Sequence, residues 1–257
     1  MNRSITARPS PNFNNRADDQ PISMLVLHYT NMADAEAALA RLCDPTSEVS
    51  AHYLISCDGE IFALVDEVHR AWHAGVSAWQ GETDINSCSI GIELDHIGHD
   101  IGPDITMAPY PAVQMDALIE LAGDIVARHA IRPDRVLGHS DIAPGRKIDP
   151  GEAFDWASLA RAGIGLWPDD TLPEDVPTLT NGDTGPAVAA LQQALRAYGY
   201  ALAHDGRFGP HMEAVIRSFQ QHFRPSRVDG AADGETQTRV YAVCRARSAL
   251  DQASISP

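Results

Sequence analysis

The stretch "ISMLVLHYT", residues 22–30, is apolar from Met24 to Leu27 and turns polar at His28. It is too short for a core helix and follows Pro21, so it reads as an inner strand with His28 near its exit. An inner strand needs neighbours, and the chain supplies them on its C-terminal side. "AHYLISC" (51–57) and "EIFALV" (60–65) flank the turn signal Asp58-Gly59 and form a predicted hairpin. "CSIGIEL" (88–94) is a fourth strand with Glu93 near its end, and "RVLG" (135–138) is a short strand that delivers His139 into a loop. Helical spacing falls between these strands. "MADAEAALARL" (32–42) is one segment, and 111–130, with Leu118, Leu121, Ile125 and Val126 on one face, is the longest. The order predicts an α/β domain over 22–167, with a mixed central β-sheet flanked by helices.

Outside that domain the texture changes. Residues 1–21 are polar and read as an irregular lead-in. The span 168–180 is rich in Pro, Asp and Thr and reads as a linker, which is expected to let the first domain fold alone. Residues 181–247 carry three helical patterns, marked by Val188, Leu191 and Leu195, then Val215, Ile216 and Phe219, then Val240 and Val243. A small three-helix domain follows from this, with 248–257 as a tail.

Composition excludes several function classes. A net charge of −16 over 257 residues leaves no basic face for nucleic acid or anionic lipid. No stretch approaches the roughly 20 apolar residues of a membrane span. Cys43, Cys57, Cys88 and Cys244 lack CxxC spacing, and buried free thiols are expected. The polar start, without an apolar leader core, gives a cytoplasmic expectation, with the periplasm as the alternative if an export signal precedes it.

The ionisable groups concentrate in "GHSDIAPGRKIDPG", residues 138–151. Its prolines and glycines specify a loop with fixed turns, and loops on a rigid scaffold are where chemistry usually sits. A catalytic zinc site needs three N or O ligands and an open position, which His28, His139 and Asp149 can supply from one sheet edge. Taken singly, each of these residues reads equally as core or surface.

Five motifs in order, "HYT", "SAHYLI", "AWHAGVSAWQG", "SIGIELDH" and "GHSDIAPGRKIDPG", resemble the zinc-dependent N-acetylmuramoyl-L-alanine amidases of the type-2 amidase family. The resemblance covers about residues 22–167, and it implies one Zn2+ per chain held by His28, His139 and Asp149. It further implies Glu93 as general base and Lys147 as the cation facing the oxyanion. Substrate contacts are expected from His73, Asn86 and Trp79, with a turn role for Asn86 and a core role for Trp79 as the other readings. His52 is expected to pack, and His96 and His99 to be exposed. The tail's "LQ…DGRFG…V…FQ…DG…G…T" frame resembles a peptidoglycan-binding domain. Together these imply hydrolysis of the muramic acid–L-alanine amide in peptidoglycan fragments (muropeptides), for murein recycling or wall turnover, by a chain favoured as a monomer. A non-catalytic peptidoglycan sensor is the alternative.

Overall fold

The computed structural model describes residues 3–17, 20–99, 107–168 and 175–253. Its centre is β3 (Met24–Tyr29), whose Met24 to Leu27 are fully buried. Strands β7 (Ser89–Leu94) and β8 (Val136–Gly138) pair with β3 on either side, both parallel to it. Parallel strands are buried on both faces, which is why the run at 24–27 is continuously apolar instead of alternating. Beyond β7 lie β4 (Tyr53–Ile55), parallel to it, and β5 (Ile61–Ala63), antiparallel to β4 across the expected hairpin.

The lead-in is not irregular. Residues Ile5–Ala7 form β1, a parallel edge strand on β5, so the six-stranded sheet has the order β1-β5-β4-β7-β3-β8. Residues Phe13–Asn15 form β2, antiparallel to β6 (His69–Ala71) in a separate ribbon. Arg16 ties this segment down by donating to the carbonyls of Glu67, Asn86, Ser87 and Ser89. Their three-residue length hid these strands, because each is too short to show an alternating pattern and its side chains are exposed.

Helix α1 (Ala35–Leu42) starts at Asp34, whose side chain accepts from the Ala37 N–H at 2.8 Å. It packs Leu39 and Leu42 on Leu54 and Phe62. Short helices α2 (Ile85–Cys88), α4 (His139–Ile142) and α5 (Trp156–Arg161) lie in the connections. The long helix α3 (Ala112–His129) buries Leu118 and Ile125 in a cluster with Leu25, Leu27, Ile90 and Ile92.

The alternate residues of β3, Met24 and Val26, belong to a different cluster. That cluster runs through Trp79, Ile85, Leu137 and Ile142 into α6 (Pro186–Tyr198), α7 (Pro210–Phe223) and α8 (Gly234–Ala253). The C-terminal helices therefore share a core with the sheet domain. Trp79, which has no exposed surface, sits edge-on to Tyr198 and Tyr200 at centroid distances of 5.0 and 4.9 Å. Gly199 makes this possible, since a Cβ there would lie 2.4 Å from the indole. Polar ties follow the same seam: Gln80 N–H to Gly199 O at 2.9 Å, Arg132 to Asp251 at 2.6 Å and Arg247 to Asp134 at 3.2 Å. A fully buried apolar side chain contributes about 1.5–3 kcal/mol and a solvent-exposed pair such as Arg132–Asp251 about 0–1, so the many buried apolar groups dominate the seam.

Two further expectations change. Helix α8 continues to Ala253, into the segment read as a tail, and the linker expectation falls partly on residues 169–174, outside those described. All four cysteines are free, but only Cys88 is buried and Cys57 is exposed. Among the described residues, no helix is long and apolar enough to cross a membrane.

Candidate metal centre and cleft

Strand register assembles the site. In the parallel ladders His28 is the Cα partner of Glu93, while Leu27 is the partner of Gly138, so His139 follows beside His28. One row at the carboxyl ends of three parallel strands thus carries His28, Glu93 and His139, the edge where open α/β sheets place their ligands. Asp149 comes back to this edge at the end of the Pro/Gly loop, and the Ser140 N–H donates to its carbonyl at 2.9 Å.

Three atoms converge here, all from buried residues. His28 Nδ1 and His139 Nδ1 lie 2.9 Å apart, and Asp149 Oδ2 is 3.1 and 3.0 Å from them. The other ring nitrogens are engaged. His139 Nε2–H donates to Ala74 O at 3.0 Å, leaving its Nδ1 with a lone pair. Ser89 donates its hydroxyl to Ile85 O at 2.6 Å, so it accepts from His73 Nε2–H at 3.1 Å. His73 Nδ1 is then the acceptor for His28 Nε2–H at 3.0 Å, and His28 Nδ1 is free as a donor atom. Two lone pairs and a carboxylate oxygen facing one another, no more than 3.1 Å apart, suit a cation.

Electrostatics agree with neutral His28 and His73 rings and a charged Asp149. Burial lowers His28 to about 4, helped by His139, and drives His73 well below its ordinary value. Burial opposes ionisation of Asp149, yet His139 and His28 hold its carboxyl well below the usual range. Glu93 goes the other way. Burial and the Asp149 charge raise it well above the carboxylate range, against the pull of Lys147, and its Oε2 is enclosed without a hydrogen-bond partner.

These residues line a cavity of about 370 Å³ together with Lys147, Trp72, Arg146 and Asn31. The Lys147 ammonium makes no hydrogen bond or ion pair among the described residues. His73 touches the cleft but its ring nitrogens serve His28 and Ser89, and Gly91 gives it room, since a Cβ there would lie 2.5 Å from the ring. Two expected substrate contacts lie elsewhere. Trp79 is sealed in the shared core, and buried Asn86 spends its Oδ1 on the His73 and Ala74 N–H groups at 3.1 and 2.8 Å. His96 is buried rather than exposed, bonded through Nε2 to Ala108 O. His99 is half-buried between Tyr29 OH and Glu152. His52 is fully buried behind the site, held by Gly91 N–H and Arg16. Sequence reasoning missed Ser89 and Arg146; the second donates to Ala74 O at 2.7 Å and had a signal, its place beside Lys147 in the charged loop.

Donors of this kind, opening on a cleft at strand ends, are the equipment of a hydrolase. The chain belongs to the N-acetylmuramoyl-L-alanine amidase family (Amidase_2), whose model matches residues 18–152, and a peptidoglycan-binding-domain model (PG_binding_1) matches residues 184–240. It is 43% identical over 224 residues to the N-acetylmuramoyl-L-alanine amidase AmiD of Escherichia coli K12, covering 84% of this chain and 80% of AmiD. The 1,6-anhydro-N-acetylmuramyl-L-alanine amidase AmpD of the same organism is 39% identical over 166 residues, 58% of this chain and 86% of AmpD. Among solved structures, AmiD in complex with anhydro-N-acetylmuramic acid-L-Ala-D-gamma-Glu-L-Lys superposes with a TM-score of 0.77 at 40% identity, covering 91% of this chain and 93% of that one. AmpDh3 of Pseudomonas aeruginosa gives 0.76 at 36% identity, over 93% and 98%.

Proposed function

We propose that this chain hydrolyses the amide between N-acetylmuramic acid, above all its 1,6-anhydro form, and L-alanine in peptidoglycan fragments, with one zinc ion held by His28, His139 and Asp149. The observation that carries the reading is the convergence of those three donors beside Glu93 and Lys147 in one cleft. The AmiD and AmpDh3 structures that hold anhydromuramyl peptides support the choice of substrate.

Zinc in such a site acidifies water and polarises a carbonyl. The chain's own residues do the rest. Glu93, whose Oε2 is enclosed without a partner, takes the proton of the attacking water and returns it to the departing L-alanine amine. Lys147 turns its ammonium toward the oxygen on which negative charge develops, where one donor is worth about 3–4 kcal/mol. The Ile85–Ser89–His73 chain holds His28 in the tautomer that presents Nδ1, and Ala74 O does the same for His139.

Glu93→Gln and Asp149→Ala separate the roles when zinc content and turnover of an anhydro-muropeptide are measured on the same samples. Glu93→Gln should keep zinc and lose about 10²- to 10⁴-fold in rate. Asp149→Ala should lose both. Wild-type turnover by Glu93→Gln removes Glu93 from the mechanism, and unchanged zinc affinity in Asp149→Ala moves the third ligand elsewhere.

A further inference from the structure

The helical domain reaches into the catalytic edge through one buried carboxylate. Asp141 has 1% of its surface exposed. Its Oδ1 accepts from Tyr200 OH at 2.7 Å, and its Oδ2 accepts from the Gly138 backbone N–H at 2.8 Å and from His222 Nδ1 at 2.7 Å. Two of those three donors come from the C-terminal domain. The ring of His222 is stacked between Trp156 and Phe223, at centroid distances of 3.7 and 3.9 Å.

Asp141 stands on α4, two residues after His139, which opens that helix. A four-residue helix has no stability of its own, because nucleation costs more than one turn of hydrogen bonds returns. Its conformation is set by what holds it. One side is tied to the Asp149 carbonyl through Ser140 N–H; the other is tied through Asp141 to Tyr200 and His222. A buried carboxylate is costly when short of donors, so losing one disfavours the turn that keeps Asp141 inside, and His139 shares that turn.

The choice of histidine at 222 points the same way. Its Nε2 is buried without a partner, a cost that phenylalanine would avoid while keeping both stacks. What histidine adds is the Nδ1 contact with Asp141.

We propose that Tyr200 and His222 are positioning residues for the metal centre, acting through Asp141 to fix the α4 turn and with it the His139 ring. The inference rests on His139 being a zinc ligand. It makes the helical domain part of the machinery that shapes the site, in addition to any contact with wall polymer.

The test uses full-length Tyr200→Phe, which keeps its ring and loses the hydroxyl, and His222→Phe, which keeps an aromatic ring in the stack and loses both ring nitrogens. Asp251→Ala serves as control, cutting the Arg132–Asp251 tie across the same seam without touching Asp141. Zinc affinity is measured by chelator competition, and backbone amide exchange is followed at Gly138 and Ala143. Tyr200→Phe and His222→Phe should bind zinc about tenfold more weakly, the low end for outer partners of a metal site, and should exchange faster at those two amides. Asp251→Ala should match wild type in both. Wild-type zinc affinity in Tyr200→Phe and His222→Phe, in a chain that does bind zinc, overturns the proposal alone. A wild-type chain that takes up no zinc overturns the ligand reading and this proposal with it.

Discussion

Trp79 decides between two pictures of the seam. As a sugar-stacking residue it would be exposed in the cleft; instead it is sealed between Tyr198, Tyr200 and Gly199. Replacing a buried tryptophan by alanine costs about 3–5 kcal/mol through lost transfer energy and the cavity left behind. Its Nε1 has no partner, so its removal also relieves a burden of about 1–3 kcal/mol, and the net falls toward about 2. In a chain of this size each kcal/mol moves the thermal midpoint by about 2–4 °C, so Trp79→Ala should lower it by about 4–8 °C. Differential scanning calorimetry measures the midpoint, and KM for a soluble muropeptide, taken well below it, should stay near wild type. An unmoved midpoint with a raised KM would refute the argument and return Trp79 to the substrate.

Deleting residues 176–257 should give an insoluble or dye-binding product instead of a free-standing enzyme, because it strips the cover from the cluster holding Met24, Val26, Trp79 and Ile142; a soluble, zinc-loaded fragment with normal muropeptide turnover would show that the shared core is dispensable. Acid should destabilise the fold partly through Glu67. Although burial opposes it, hydrogen bonds from Arg128, His129 and Tyr53 depress its carboxyl to about 2. A depressed carboxylate contributes stability that is complete above its unfolded value, about 4.3, and is lost as pH falls toward 2. Glu67→Gln should therefore flatten the stability curve between about pH 5 and 2 in urea titrations, and an unchanged slope would count against the pairing.

The inner sheet was legible because its strands are short apolar runs with turn residues at their ends, and the longest helix because its apolar face repeats at helical spacing. Strand pairing order was not legible, and neither were β1 and β2, whose three exposed residues each are too few to show an alternating pattern. The residues that converge at the site were legible from their chemistry and motif order. Their supports were not: Ser89 looks like any small strand residue, and Asp141 and His222, 81 positions apart, give no local sign of each other. Trp79 and Asn86 misled for a related reason. Tryptophan and asparagine serve sugar binding and structural packing equally well, and only burial separates the two uses.

The parallel register of His28 with Glu93, and of Leu27 with Gly138, limits how such a chain can be altered. Side chains alternate faces along a strand, so one residue inserted within 24–28 or 89–93 would turn His28 or Glu93 to the opposite side of the sheet. A substitution there alters one group, whereas a single-codon insertion removes the row. Insertion scanning should therefore find these two short strands closed to length changes, with new segments accepted only in exposed connections such as the Ala162-Gly163 turn.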